Sequence, residues 1–234
     1  MNKKLIVHIG TPKTGSSYLQ ELCVKNFDTL LAAGILYPGI ESGEFTGKAN
    51  VPINASNILD IFLSETNREE TISTLSEKLN AVFSFGVNTV LISDETLSAF
   101  NVQNKGNLYI FECLIDTCNA LSIDVKFLAF FREPSKYLPS HWAQLVKNHN
   151  ETSSLVDFIK ANRIPYWGHL LALHEIHNGI NIFSYDKEIK NKKGILASFF
   201  EAIGVNPNNI EPLTRERINT SLSLNSLTAL RLIN

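Results

Sequence analysis

The stretch "HIGTPKTGSSYLQ", His8 to Gln20, carries the glycine spacing of a phosphate-binding loop, with Gly10, four residues, then Gly15. Glycines there let the backbone turn tightly and approach an anion. Thr14 to Ser17 then open a helix whose free N–H groups and positive dipole end face it. A nucleotide triphosphatase keeps a lysine after the second glycine, to hold the β- and γ-phosphates, and follows it with a magnesium-binding hydroxyl. Here that slot holds Ser16, and the loop's lysine is Lys13, three positions earlier. A lysine at the middle of the loop reaches a leaving-group oxygen rather than a phosphate chain. Two further places carry chemistry. "TVLISDE" (89–95) reads as a strand ending in Asp94 and Glu95, which suits either a magnesium-holding Asp or a general base. "FLAFFREPSKYLPSHW" puts Arg132 at a strand end and Ser140 eight residues on, about two helical turns away.

These loops are positioned by strands alternating with helices. Near-continuous apolar runs mark strands at 4–9, 88–93, 125–131 and 180–185, with a brief extended piece at 34–39. Helical periodicity runs from Ser16 to about Ala33, from Arg68 to Phe85, near Leu108 to Leu121, after Pro134 with a kink expected at Pro139, from about Leu155 and Trp167, and over 194–204. Residues 40–66 read as the least regular part, a rim or lid. The pattern predicts a three-layer α/β/α domain spanning 1–234, with a central parallel sheet of phosphate-loop type. In such sheets ligands bind beyond the carboxyl ends of the strands, so the loops after residues 9, 93 and 131 are expected to share one edge.

The chain has 234 residues, 44% hydrophobic and 19% charged, with a formal net charge of −2. Interspersed charges of that balance create no global attraction to nucleic acid or anionic membrane, so the anion site is local. Cys23, Cys113 and Cys118 lack zinc spacing and read as reduced, buried thiols. "HEIH" (174–177) falls one residue short of a zinc-protease motif and reads as a helix face. No apolar run has membrane length, and a cytoplasmic protein is expected. The sequence ends partway through a helical pattern, so the natural chain is expected to extend further.

"PKTGSS" (12–17) and the Arg132–Ser140 pair resemble the signatures of the sulfotransferases that use 3′-phosphoadenosine 5′-phosphosulfate (PAPS). "INIFSYDKEIKN" with the helix after it, "RERINTSLS" (215–223) and "AAGILYPG" (32–39) are similar to further parts of that group, its bacterial members included. The resemblance implies sulfuryl transfer from PAPS to an acceptor hydroxyl or amine, leaving adenosine 3′,5′-bisphosphate (PAP), with no required metal. It implies that Pro12, Lys13, Thr14, Gly15, Ser16 and Ser17 hold the 5′-phosphate, with Lys13 on the leaving oxygen, and that Arg132 and Ser140 grip the 3′-phosphate. Glu95 is the implied base, with Asp94 as base or Lys13-orienting group in its stead. A cap on the following helix is an equally ordinary use of "SDET". The acceptor expected is a glycan or glycolipid. Two other readings stay open: a nucleotide kinase or triphosphatase, and a family member that binds PAP without catalysis.

Overall fold

The computed structural model describes residues 2–64, 67–99, 108–161, 165–192, 194–213 and 222–233. Its strands are β1 (Lys3–His8), β2 (Ile35–Leu36), a hairpin of β3 (Gly39–Glu41) and β4 (Glu44–Thr46), β5 (Thr89–Ser93), β6 (Ile123–Phe131) and β7 (Ile180–Ser184). Five of them form a parallel sheet in the order β2-β5-β1-β6-β7. Helices α1 (Ser16–Lys25) and α2 (Phe27–Ala32) join β1 to β2, and α3 (Ser56–Ser64) and α4 (Arg68–Phe83) lead from the hairpin to β5. After β5 come α5 (Thr96–Ala99) and α6 (Tyr109–Ala120). Helices α7 (Pro134–Asn148), α8 (Leu155–Ala161) and α9 (Pro165–Ile176) connect β6 to β7. Past β7 lie α10 (Tyr185–Glu188), α11 (Gly194–Ala202), a 3-10 turn at Pro207–Asn209 and α12 (Leu224–Ile233).

Alternation along each strand builds one core on each face of the sheet. Leu5, Val7 and Ile9, with Val90, Ile92, Phe127 and Ala129, pack under α3, α4 and α6. Ile6, Leu91, Leu128 and Phe130 face the other way, against Leu19, Leu22 and the α11 residues Phe199 and Phe200. A third cluster joins α7, α8 and α12 through Trp142, Val146, Phe158 and Leu227. The expected three-layer α/β arrangement is therefore present.

Two local expectations are corrected. The helix read as continuous from Ser16 to Ala33 breaks at Asn26, whose side-chain amide bonds Leu22 O (2.9 Å) and Glu211 O (3.0 Å) and accepts from Glu211 N (2.7 Å). A tertiary partner thus takes the side chain that ends α1. The stretch 40–66 supplies a hairpin and α3, and Ile58, Ile61 and Phe62 of α3 are core residues. As expected, the helix after Pro134 continues past Pro139, as α7. All three cysteines are free and buried, and burial pushes the Cys118 thiol up to about 12.

His8 is, with Ser93, a buried polar residue of the sheet. It is fully buried, with its ring edge-on to Phe199 (5.2 Å) and Phe130 (6.2 Å). Burial lowers its pKa from 6.5 to about 3, so the folded protein holds it neutral while the unfolded chain takes a proton below pH 6.5. Its contribution is therefore complete above pH 6.5 and is lost as pH falls toward 3, at roughly 1.4 kcal/mol per pH unit across that window. Denaturant titrations at several pH values are expected to show a shallower acid decline for His8→Gln than for the unaltered protein. Parallel declines would mean that His8 is not held neutral.

Candidate active site

The loop after β1 is pinned between its neighbours. His8 O accepts from Asp94 N (3.0 Å) on the β5 side. On the β6 side Ile9 N reaches Leu128 O (2.9 Å), Thr11 N reaches Phe130 O (2.8 Å), and Phe130 N reaches Gly10 O (2.6 Å). Gly10 has φ +89°, and a Cβ there would lie 2.6 Å from Glu95 Cβ and 2.9 Å from Glu95 Cα. The glycine is thus required twice, by its backbone angle and by the approach of the β5 turn. Lys13 also sits in the left-handed region, at φ +66°. Gly15, at φ +80°, starts α1, whose first turn carries no side-chain cap and no acidic residue. Its first N–H groups are left for an anion. The hydroxyls of Thr14 and Ser16 both turn back onto Thr11 O, at 2.5 and 3.4 Å, bracing the loop from inside.

A cavity of about 660 Å³ opens at this end of the sheet, lined in part by Lys13, Ser17, Glu95, Arg132 and Ser140. Pro12, Gly15 and Ser16 line it too, while Thr14 and the alternative base Asp94 are buried and do not. Lys13 is half-buried. Burial lowers its pKa, Arg132 and Lys147 lower it further, and Glu95 opposes them. Arg132 donates from Nη1 to Lys13 O (3.3 Å) and lies over the Tyr185 ring at 5.3 Å. Its Nε is buried and has no partner among the described residues. A planar cation so held, with an unspent donor, suits a phosphate.

Asp94 and Glu95 part company. Asp94 is 2% exposed and its Oδ1 accepts from Thr96 N (2.9 Å) and Thr96 Oγ1 (2.6 Å), so it caps α5. Burial raises its pKa. Glu95 faces the cavity, with Oε2 held by Gln20 Nε2 at 3.0 Å. The same Gln20 nitrogen donates to Ser93 Oγ (3.1 Å), which meets His8 Nδ1 at 2.7 Å. Gln20 is a site residue that sequence reasoning missed. Its signal was a buried amide among the apolar positions of α1, visible only once β5 lies beside that helix. Tyr18, Lys136 and Lys147 on the cavity wall were missed as well.

Two of the other histidines are packed into the fold. His177 Nε2 meets Val125 O at 2.9 Å, and its ring is edge-on to Phe127. His141 stacks on Tyr137, 5.5 Å between ring centroids. Trp142 is core, with Nε1 donating to Ser153 O (3.0 Å). Asp186 of the Tyr–acidic pair accepts from Glu133 N at 2.8 Å, at the start of α7. Arg215, Arg217 and the side chains of Tyr166 and Trp167 lie outside the described residues. Among the described residues no group of His, Cys, Asp or Glu could hold a metal ion, and no helix is long and apolar enough to cross a membrane.

The Gly10 contact is testable against a glycine of similar φ with open surroundings, Gly34 at +79° with nothing within 4 Å. Gly34→Ala is expected to cost about 1 kcal/mol of backbone strain, and Gly10→Ala at least about 1–3 kcal/mol more. Thermal denaturation of the two variants checks this, and equal melting temperatures would refute the contact.

No family model and no curated protein matches the sequence. The fold does resemble solved structures. A sulfotransferase from Alicyclobacillus acidocaldarius aligns over 100% of this chain and 94% of its own, at 11% identity and a TM-score of 0.53. Also similar are a retinol dehydratase in complex with androsterone and inactive cofactor PAP (16% identity, 98% of this chain, 63% of that one, TM-score 0.40) and the sulfotransferase domain from the curacin biosynthetic pathway (11%, 99%, 83%, 0.47). With its parallel sheet and glycine loop, the chain has the sulfotransferase fold.

Proposed function

We propose that the protein is a sulfotransferase that moves a sulfuryl group from PAPS to an acceptor hydroxyl or amine. The observation that carries this is the convergence on one cavity of the loop, Glu95 and the Arg132–Ser140 pair, from separate stretches of the chain. The site fits the donor by its chemistry: an uncapped helix start, a half-buried lysine, and an arginine with an unspent buried Nε. When bound, PAPS supplies the sulfuryl group and a 5′-phosphate leaving group.

The protein's own residues do the rest. Gly15, Ser16 and Ser17 present N–H groups to the 5′-phosphate, and Lys13 holds the charge that develops on its bridging oxygen. Arg132 and Ser140 fix the 3′-phosphate. Glu95, oriented by Gln20, takes the acceptor's proton as the acceptor oxygen bonds to sulfur and the sulfur–phosphate oxygen bond breaks. A glycan or glycolipid hydroxyl is the acceptor we favour, since a carboxylate base serves a hydroxyl, and the cytosol is the compartment that suits three reduced thiols. A triphosphatase is disfavoured by Ser16 in the lysine slot and by Asp94, the residue it would need for magnesium, capping α5 instead.

Calorimetry with PAP, and separately with ATP plus magnesium, is the test. Metal-independent binding of PAP, weakened at least tenfold by Arg132→Ala, is expected. Preference for magnesium–ATP, or indifference to Arg132, would return the loop to the triphosphatases. PAP binding without transfer to any acceptor would indicate a non-catalytic binder. Lys13→Met is expected to lower kcat by roughly 10²–10³. Because the Lys13 pKa in the unliganded site lies below that of an ordinary lysine, kcat/KM for PAPS should decline with rising pH before 10.5 is reached. An alkaline limb at or above 10.5 would contradict Lys13 as the working cation.

A further inference from the structure

We infer that Lys147, with Gln144 and Asn148, forms the acceptor-recognition edge of the cavity and selects acceptors that carry an anionic group beside the reacting hydroxyl. This rests on the sulfotransferase reading above, and it names the acceptor's chemistry. Lys136, Ser140, Gln144 and Lys147 succeed one another on α7 at spacings of four, four and three residues, so they share a face, and all of them line the cavity.

The near end of that face is already committed. Lys136 is paired with Glu133 (2.8 Å) and Asp186 (3.4 Å), and Ser140 lies with Arg132 at the donor's 3′-phosphate in the proposed reading. Gln144 lies about 6 Å along the helix beyond Ser140, and Lys147 about 10 Å beyond it. The side chains of Gln144, Lys147 and Asn148 have no hydrogen bond or ion pair with a described residue.

Lys147 is nonetheless close to the chemistry. It lines the same cavity as Lys13 and Arg132 and its charge acts on Lys13, while its side chain stays open to solvent. The cavity wall carries four cations, Lys13, Arg132, Lys136 and Lys147, and one carboxylate, Glu95. Two of the cations serve the donor and one is paired on α7, which leaves Lys147 unspent. Leu155, Leu222, Leu224 and Leu227 from α8 and the α12 region complete the wall and supply no partner for it. A neutral acceptor bound there would strip water from the ammonium and return nothing. An acceptor bearing a carboxylate or a phosphate would pair with it at reduced dielectric, and the two amides would bind its hydroxyls.

The test is calorimetry on protein saturated with PAP, using two pairs of probes. One is a tetrasaccharide of alternating glucuronic acid and N-acetylglucosamine against its carboxyl-reduced form; the other is glucose 6-phosphate against glucose. In at least one pair the acidic member is expected to bind tenfold or more tightly, and the pair that responds tells carboxylate from phosphate. Lys147→Gln should abolish the preference and Lys147→Glu reverse it, both with PAP affinity within threefold of the unaltered protein. Equal or absent binding in both pairs overturns the inference, as does a preference that survives Lys147→Gln. Loss of PAP affinity in Lys147→Gln would assign this lysine to the donor and overturn it too. Failure of the unaltered protein to bind PAP is a separate result, which sinks the sulfotransferase reading itself.

Discussion

The hydrogen bonds that hold the end of β1 between the ends of β5 and β6 are the constraint on which the site depends. Asp94 N to His8 O on one side, and Thr11 N to Phe130 O on the other, fix where the loop leaves the sheet. From that point Gly10 lies against Glu95, Lys13 is carried over the cavity, and Gly15 starts α1 with its N–H groups uncapped. Parallel pairing sends the three strands out at the same edge, so their following loops meet without any long excursion of the chain.

Electrostatically the cavity is built for a ligand that brings negative charge. Lys13 is crowded by Arg132 and Lys147 in partly buried surroundings, with Glu95 as the opposing charge. Like charges held this close raise the free energy of the empty site, and an anion between them relieves it. The stacking of Arg132 on Tyr185 and its bond to Lys13 O hold the guanidinium in place, so little side-chain freedom is left to lose when an anion arrives. Backbone N–H groups at α1 add attraction that does not depend on pH.

Behind the cavity a buried polar chain runs from His8 through Ser93 and Gln20 to Glu95. Such a chain is costly in a sheet core unless its members are bonded. Here it couples the stability of the fold to the site: the neutral His8 that packs among aromatics also anchors the serine that shares the Gln20 amide. The expected acid sensitivity of the fold and the orientation of the cavity carboxylate thus share one set of residues.

Three of the strands, at 4–9, 88–93 and 125–131, were legible because central strands of a sheet covered on both faces are largely apolar. The edge strand at 180–185 was legible from its shorter apolar run, although most of it is not buried. The glycine loop and the spacing of Arg132 and Ser140 were legible for a local reason: each is a short segment whose residue types answer to its own backbone. The break at Asn26 was not, since its partner is Glu211. Nor was the division of labour between Asp94 and Glu95, two adjacent carboxylates that the chain alone treats alike until Thr96 takes one and Gln20 the other. The sequence by itself determined the layered α/β class and the anion-binding loop, because periodicity and turn chemistry act over a few residues. Only the tertiary structure decided which carboxylate faces the cavity, which amide holds it and which lysine of α7 remains unpaired, because those outcomes depend on contacts between residues far apart in the chain.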